Sequence, residues 1–269
     1  MSLTFHKLHG LGNDFMLVDS AEQPLQANQD EIRAWGDRRT GIGFDQLLYL
    51  RRAAEGVSVT IYNADGSQAE QCGNGMRAIA LWLSMQGQLT TPRSLITAGG
   101  ELTIGQQPNT PGHFFVDFPT PVLYPSITDQ QQRFTQAYPV SVGNPHLVIF
   151  CDQPGTERQR HGQALATDTQ LFAQRADLSS FQQGCNIGFA KADGAQLELH
   201  VWERGAGPTR ACGSGACAAA WVILQTQSLQ QVEVTQPGGT LVLEYSGAHY
   251  LRMSGPAQYV YTGTIPITH

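Results

Sequence analysis

Lysine is nearly missing from this chain: of its 16 basic residues only Lys7 and Lys191 are lysines, and 22 Asp and Glu leave a formal net charge of −6. Nucleic acid and anionic membrane surfaces need clustered positive charge, so neither is expected as a partner. The same shortage leaves few candidates for a Schiff-base lysine, and no phosphate-cradling motif supports a pyridoxal-phosphate route. Charged residues reach only 14%, against about 25% in an ordinary globular domain. Cysteine is sparse and odd in number, at five, which argues for reduced thiols rather than a disulfide framework. No C-x-x-C pair occurs, the nearest spacing being Cys212-x4-Cys217, so no metal site is expected. Long apolar runs are also missing. The longest, Ala216–Leu224, has nine residues, about half a bilayer span. The start, Met1-Ser2-Leu3-Thr4-Phe5-His6-Lys7, lacks the apolar stretch of an export signal. A soluble, cytoplasmic protein with no membrane partner is the expectation.

Glycine, at 29 residues, is what the chain has in plenty, and much of it lies in a repeat. Ile61-Tyr62-Asn63-Ala64-Asp65-Gly66 leads to Cys72-Gly73-Asn74-Gly75-Met76-Arg77-Ala78-Ile79-Ala80. Without a gap, 140 positions later, Val201-Trp202-Glu203-Arg204-Gly205-Ala206 leads to Cys212-Gly213-Ser214-Gly215-Ala216-Cys217-Ala218-Ala219-Ala220. Upstream, Val57/Val59/Ile61 and Leu197/Leu199/Val201 alternate as half-buried strands do. Downstream, Thr97-Ala98-Gly99-Gly100 answers Thr235-Gln236-Pro237-Gly238-Gly239, and near each start Gly12-Asn13 and Gly143-Asn144 precede apolar runs. Four matched features in one order mark a duplicated architecture. The halves meet near residues 117–125, where Phe118-Pro119-Thr120-Pro121 and Pro125 read as a linker.

After each CGxG block comes a run that is apolar almost all round, Met76–Met85 and Ala216–Leu224, and a helix apolar on every side is buried on every side. Strands are expected at Phe15–Val18, Leu47–Leu50, Val57–Tyr62, Phe114–Phe118, Leu147–Phe150, Ile187–Ala190, Leu197–Trp202, Val232–Thr235 and Leu241–Tyr245, in largely antiparallel sheet. Outer helices are expected at Asn28–Trp35 and His161–Phe172. The fold class is therefore α+β: two pseudo-symmetric domains, each a curved, mainly antiparallel or mixed sheet around a buried central helix.

Each repeat cysteine stands just ahead of such a helix. Free N–H groups and the positive end of the helix dipole favour thiolate there. Small residues at 73, 75, 213 and 215 let a ligand carboxylate reach the same N–H groups. Two such turns, facing one cleft, suit inversion at a carbon, where one base removes a proton and a second acid returns one to the opposite face. Cys151 and Cys217 read as packing residues, and Cys185 stays undecided. Gly10-x-Gly12 lacks the context of a dinucleotide fingerprint.

Taken together, the blocks His9–Phe15, Gly41–Gln46, Tyr62–Ser67, Gln71–Gly75, Gly143–His146, Asn186-Ile187, Glu203–Gly207 and Ala211–Cys217 resemble the diaminopimelate epimerase family, in its order and across almost the whole chain. The resemblance implies cofactor-independent epimerisation of LL-diaminopimelate to the meso form, for lysine and cell-wall synthesis. It casts Cys72 and Cys212 as the acid/base pair, with His146 and Glu203 as polar support beside the cysteines and the reacting amine. It makes Gly73, Asn74, Gly213 and Ser214 the turn groups holding the substrate carboxylate. Asn13, Gln46, Asn63, Asn144, Asn186, Glu203 and Arg204 become the rest of the substrate shell. It also implies a homodimer, a first domain of residues 1–118 joined by a returning strand within 258–269, and a second domain of 119–257. Read singly, Asn13, Asn63 and Asn144 are equally turn residues, His146 a buried imidazole, and Glu203-Arg204 a solvated strand end. Pro208 departs from the acidic residue that many family members carry after Gly-Ala-Gly, and is expected to stiffen the loop rather than change the chemistry. The competing readings are a same-fold racemase for another amino acid, a relative of the phenazine-biosynthesis type, which the retained cysteine pair opposes, and a non-catalytic binding module.

Overall fold

The first half begins on a tight hairpin. In a computed structural model, which describes residues 2–53, 56–247 and 249–267, β1 (Ser2–Gly10) turns into β2 (Asn13–Asp19) through Leu11 and Gly12. Both turn residues have positive φ, 57° and 82°, the backbone a two-residue hairpin needs to match strand twist. Gly12 adopts it without steric cost, and Leu11 is held there with its side chain buried. This turn sets Asn13 at the head of β2, opposite Gly10.

The rest of the first half follows as α1 (Gln29–Gly36), β3 (Gln46–Ala53), β4 (Gly56–Asn63), β5 (Gln68–Ala69), α2 (Gly73–Met85), β6 (Arg93–Thr97), β7 (Gly100–Gln106) and β8 (His113–Pro119). The second half runs through β9 (Val122–Leu123), β10 (Ala137–Ser141), β11 (Pro145–Phe150), α3 (Pro154–Ala166), β12 (Asn186–Asp193), β13 (Gln196–Glu203), β14 (Gly207–Pro208), α4 (Gly213–Thr226), β15 (Gln231–Gln236) and β16 (Gly239–Glu244). It continues into β17 (Tyr250–Pro256) and β18 (Gln258–Pro266).

The sequence repeat is a topological repeat. β1/β2 is antiparallel, β2/β3 parallel, β3/β4 antiparallel, β4/β5 antiparallel, β4/β6 parallel and β6/β7 antiparallel. The same succession recurs as β10/β11, β11/β12, β12/β13, β13/β14, β13/β15 and β15/β16. The sheets are mixed and the helices few, so the α+β class expected from the residues is the one observed. The chain gathers into two compact units, one holding the residues up to Asp117 and those from Ser254 onward, the other Phe118–Met253. β18 lies in the first unit, antiparallel to β1. Met1, Ala54, Glu55, Ala248, Thr268 and His269 fall outside the described residues, including two of the returning segment 258–269.

Both apolar runs are central helices. In α4 every residue from Gly215 to Leu224 is buried, and in α2 every residue from Gly73 to Ala80 is. α2 packs against β1, β2, β7 and β18, and α4 against β10 to β13, β15 and β16. Each fully buried Val, Leu or Ile contributes about 1.5–3 kcal/mol, which is why these helices tolerate almost no polar residue. Strands β11 and β12 are buried residue after residue where they cross the core. Leu147, Ile149, Ile187 and Phe189 meet a second layer with Leu165, Phe172 and Phe181.

Both expected outer helices start elsewhere than expected. α1 begins one residue later because Asn28 is its cap: the Glu31 N–H donates to Asn28 Oδ1 at 3.0 Å, and Glu31 Oε2 accepts the Asn28 N–H at 2.9 Å, a capping box. The expected outer helix His161–Phe172 is two elements. Pro154 at its N-terminus starts α3 seven residues earlier. Asp168 then caps a separate 3-10 turn, Thr169–Phe172, accepting from the Gln170 and Leu171 N–H groups. Arg133 pins the Asp168 carboxylate at 2.6 Å.

Candidate active site

In the first unit, Cys72 is the residue before α2, with φ −150° and ψ 102°. Its sulfur accepts the Gly75 N–H at 3.3 Å, which leaves the turn wound tightly on the thiol. A Cβ at Gly75 would stand 3.0 Å from Leu48 Cδ2 and 3.4 Å from Cys72 Sγ, so glycine lets the turn close. Asn13 Oδ1 lies 3.7 Å from Cys72 Sγ and accepts from Asn74 Nδ2 at 3.2 Å. Asn74 Oδ1 in turn accepts from Nη2 of the fully buried Arg77 at 2.8 Å. One step along the sheet, Gln46 faces Asn63 across β3/β4. Gln46 Nε2 donates to Asn63 Oδ1 at 3.0 Å, and Asn63 Nδ2 to Ser67 Oγ at 3.1 Å. Gln46 Oε1 is buried without a partner, an acceptor open to a ligand donor.

The second unit repeats the turn with other neighbours. Cys212 precedes α4, and its sulfur accepts the Gly215 N–H, again at 3.3 Å. Here a Cβ at position 215 would lie 2.9 Å from Val201 Cγ2 and 3.2 Å from Cys212 Sγ. The Cys212 N–H donates to Oε1 of the buried Gln236 at 2.9 Å. Ser214 Oγ sits 3.6 Å from Cys212 Sγ, 3.0 Å from His146 Nε2 and 3.4 Å from Asn144 Nδ2. His146 is 1% exposed, and burial pushes its imidazole down to about 3, so it is neutral at ordinary pH. Its Nδ1 is buried without a partner, while Nε2 is 3.1 Å from the acceptor Asn144 Oδ1. The single proton therefore sits on Nε2. Ser214 Oγ is thus within reach of His146, Asn144 and the Cys212 sulfur at once, and along the last contact either the hydroxyl or the thiol can donate.

The remaining expected residues cluster at the ends of β12 and β13. Asn186 lies beside His146 in the parallel β11/β12 ladder. Its Oδ1 accepts the Arg204 backbone N–H at 2.9 Å and its Nδ2 donates to the Pro145 carbonyl at 3.3 Å. Arg204 Nη1 donates to the Gly184 carbonyl at 3.0 Å. Glu203 Oε1 accepts from Thr209 Oγ1 at 2.5 Å. Pro208, directly before Thr209, pairs with Trp202 in the short β13/β14 ladder, and Thr209 supplies the contact to Glu203.

Within the first unit the structure brings together Asn13, Cys72 and Asn74, and separately Gln46 and Asn63. Within the second it brings together Asn144, His146, Cys212 and Ser214, with Asn186 and the Arg204 backbone alongside. The residue reading missed Gln236 and Thr209. Gln236 had a signal, since it falls in the repeat block that answers Thr97–Gly100; Thr209 had none. Burial pushes the thiols of Cys151 and Cys185 up, to about 11 and about 12, and Cys217 is buried inside α4; all three suit packing. Among the described residues, no group of three or more His, Cys, Asp or Glu side chains is placed to hold a metal ion, and no helix is long and apolar enough to cross a membrane.

The family model "Diaminopimelate epimerase" matches residues 5–116 and 138–260. The chain belongs to the diaminopimelate epimerase family. Proteins named diaminopimelate epimerase from Pseudomonas aeruginosa LESB58 and Pseudomonas paraeruginosa are each 37% identical over 286 aligned positions, covering 98% of this chain and 99% of the relative. Among solved structures, a phenazine biosynthesis protein of the PhzF family from Bacillus anthracis superposes with a TM-score of 0.74 at 12% identity, covering 99% of this chain and all of that one. A hydroxyproline epimerase from Agrobacterium vitis, solved with bound trans-4-hydroxy-L-proline, gives a TM-score of 0.71 at 11% identity, with 98% and 92% covered. At such identities these two show the fold alone.

Proposed function

We propose that the protein interconverts LL- and meso-diaminopimelate by a two-base thiol/thiolate reaction, supplying the meso form for lysine and cell-wall precursors. The observation that carries this reading is the duplicated cap. Cys72 and Cys212 each end an extended segment, and each accepts the N–H of the glycine three residues on, at the same 3.3 Å. Inversion needs one sulfur as thiolate to take the α-proton and one as thiol to return a proton to the other face, after which their roles are exchanged. The chain supplies two sulfurs on matching caps, one per half; the halves are the domains proposed as 1–118 with 258–269 and 119–257.

Each cap also offers the N–H groups of a helix N-terminus, at Gly73 and Asn74 and at Gly213 and Ser214, to the carboxylate on the reacting carbon. Negative charge that builds there as the proton leaves is stabilised by fixed dipoles. Gln46 and Asn63, and likewise Asn144, Asn186, Glu203 and Arg204, give the amides, carboxylate and guanidinium that a substrate with two amino-acid ends requires. Neutral His146 takes no part in proton transfer in this scheme; it orients Ser214 against Cys212. A homodimer is the proposed assembly.

The test is direct. Purified protein is given LL-diaminopimelate with no added cofactor, and the isomers are separated by chiral chromatography, with proline and hydroxyproline run alongside. Appearance of the meso isomer is the expected result. Turnover of another amino acid without any meso-diaminopimelate would overturn the proposal.

A further inference from the structure

Asn13 is one of the side chains beside the Cys72 sulfur, and an amide offers that sulfur either an acceptor or a donor. Which end it presents is decided by groups that have only one role each. At one end stands Arg77, a donor only, which holds Asn74 Oδ1 and so turns Asn74 Nδ2 onto Asn13 Oδ1. At the other end stands the Asp45 carboxylate, an acceptor, whose Oδ2 takes the Asn13 Nδ2 hydrogen at 2.9 Å and the Asp14 N–H at 3.2 Å. Arg38 Nη2 clamps Asp45 Oδ1 at 2.6 Å and Asp14 Oδ1 at 2.7 Å. Asp14 is held in addition by Lys7 Nζ at 2.5 Å. The backbone fixes Asp45 too: its N–H donates to the Asp14 carbonyl at 2.9 Å, and its carbonyl accepts the Ala64 N–H at 3.2 Å.

We propose that Asp45, clamped by Arg38, is a positioning residue that holds the Asn13 amide with its carbonyl oxygen on Cys72. The inference rests on the reading of Cys72 as one of the acid/base pair. The hydrogen bonds run in one direction along Arg77, Asn74, Asn13 and Asp45, and neither amide can turn without setting donor against donor or acceptor against acceptor. An acceptor beside the sulfur favours S–H over thiolate. Asp45 thereby sets the protonation balance of a thiol it does not touch. Both Asp45 and Arg38 are exposed, with side chains 43% and 57% accessible, so their ion pair adds little to stability. What it supplies is geometry.

The readout is the pH dependence of Cys72 alkylation by iodoacetamide, followed by peptide mass spectrometry in the free enzyme. Asp45→Ala is expected to lower the Cys72 midpoint by about half a pH unit, because the Asn13 side chain leaves its rotamer and the thiol loses its acceptor. Arg38→Ala should shift it the same way by less. Asp45→Asn, which keeps an acceptor oxygen for Asn13, should leave it near the wild-type value. In an Asn13→Ala background, Asp45→Ala and Arg38→Ala should have no further effect, since coupling through a shared partner vanishes with the partner. An equal Asp45→Ala shift in both backgrounds, or a full shift from Asp45→Asn, means that charge alone acts through space and overturns the proposal. No shift from Asp45→Ala in the protein that retains Asn13 also overturns it. If Asp45→Ala does not fold, Arg38→Ala and Asp45→Asn decide by the same criteria. Alkylation uses no substrate: if the wild-type protein forms no meso-diaminopimelate, the proposed function falls while the titration still decides the role of Asp45.

Discussion

At Cys72 the sulfur is partly exposed and faces the Asn13 carbonyl oxygen at 3.7 Å; at Cys212 it is 5% exposed and faces the Ser214 hydroxyl at 3.6 Å. The caps themselves are alike, down to the 3.3 Å bond from the glycine three residues on. Duplication has kept the part that winds a helix onto a sulfur and has varied the part that decides where the proton rests. An amide oxygen can only accept, which favours the thiol. A hydroxyl can give a hydrogen as well as take one, so it can also stabilise thiolate. Two chemically distinct sulfurs on one repeated scaffold are what an acid/base pair needs at the start of a turnover.

The largest effect should come from removing either sulfur. Cys72→Ser and Cys212→Ser, assayed separately, are each expected to lower turnover of LL-diaminopimelate about a thousandfold, the contribution of a positioned proton-transfer group. Full turnover in either variant breaks the equivalence of the halves. Next, the two cap glycines sharpen the comparison. Gly215→Ala should destabilise by about 1–3 kcal/mol, and Gly75→Ala by less, because the added methyl meets Val201 at 2.9 Å in one case and Leu48 at 3.0 Å in the other. Urea midpoints at equal m-value would show the order.

The third prediction concerns His146, for which the first unit has no counterpart. Its imidazole is held at about 3 in the folded chain, against an ordinary value of 6.5. The unfolded chain therefore binds the proton first as pH falls. The stability from keeping His146 neutral is fully present above about 6.5 and drains away as pH drops toward about 3. Between about pH 7 and about pH 5 the wild type should lose about 2 kcal/mol from this source, and His146→Gln should flatten that slope. A parallel slope in the variant would contradict the buried neutral imidazole. The smallest effect is the order of titration. In the single-serine variants, thiolate absorbance should appear at higher pH for Cys72 than for Cys212.

Much of this was legible in the residues because it depends on local pattern. The central helices could be read from apolar runs without a polar face, and the cap cysteines from a repeat that needs no gap. Nine of the strands can be read from alternation, whereas β1, β6, β7, β10 and β17 are not among those expected; Asn28 and Asp168 betray helix starts only once side-chain caps are weighed against apolar periodicity. What could not be read depends on chain segments far apart in sequence. Nothing near Asp45 signals that it meets Asn13, 32 positions earlier. Nothing near Cys212 points to Gln236 except the repeat itself. The proton position on His146 follows from which of its nitrogens is buried without a partner, a matter of packing alone.

The central claim is that two sulfurs, not one, handle the proton. LL-diaminopimelate is turned over in deuterated water and stopped at low conversion, and label is measured separately in the meso product and the recovered substrate. With two bases, the product gains its hydrogen from a solvent-exchanged thiol while returned substrate keeps its own. The account predicts one deuterium at the inverted carbon of the product and almost none in the remaining substrate. Deuterium entering both at the same rate, or a product that retains the original hydrogen, would contradict it.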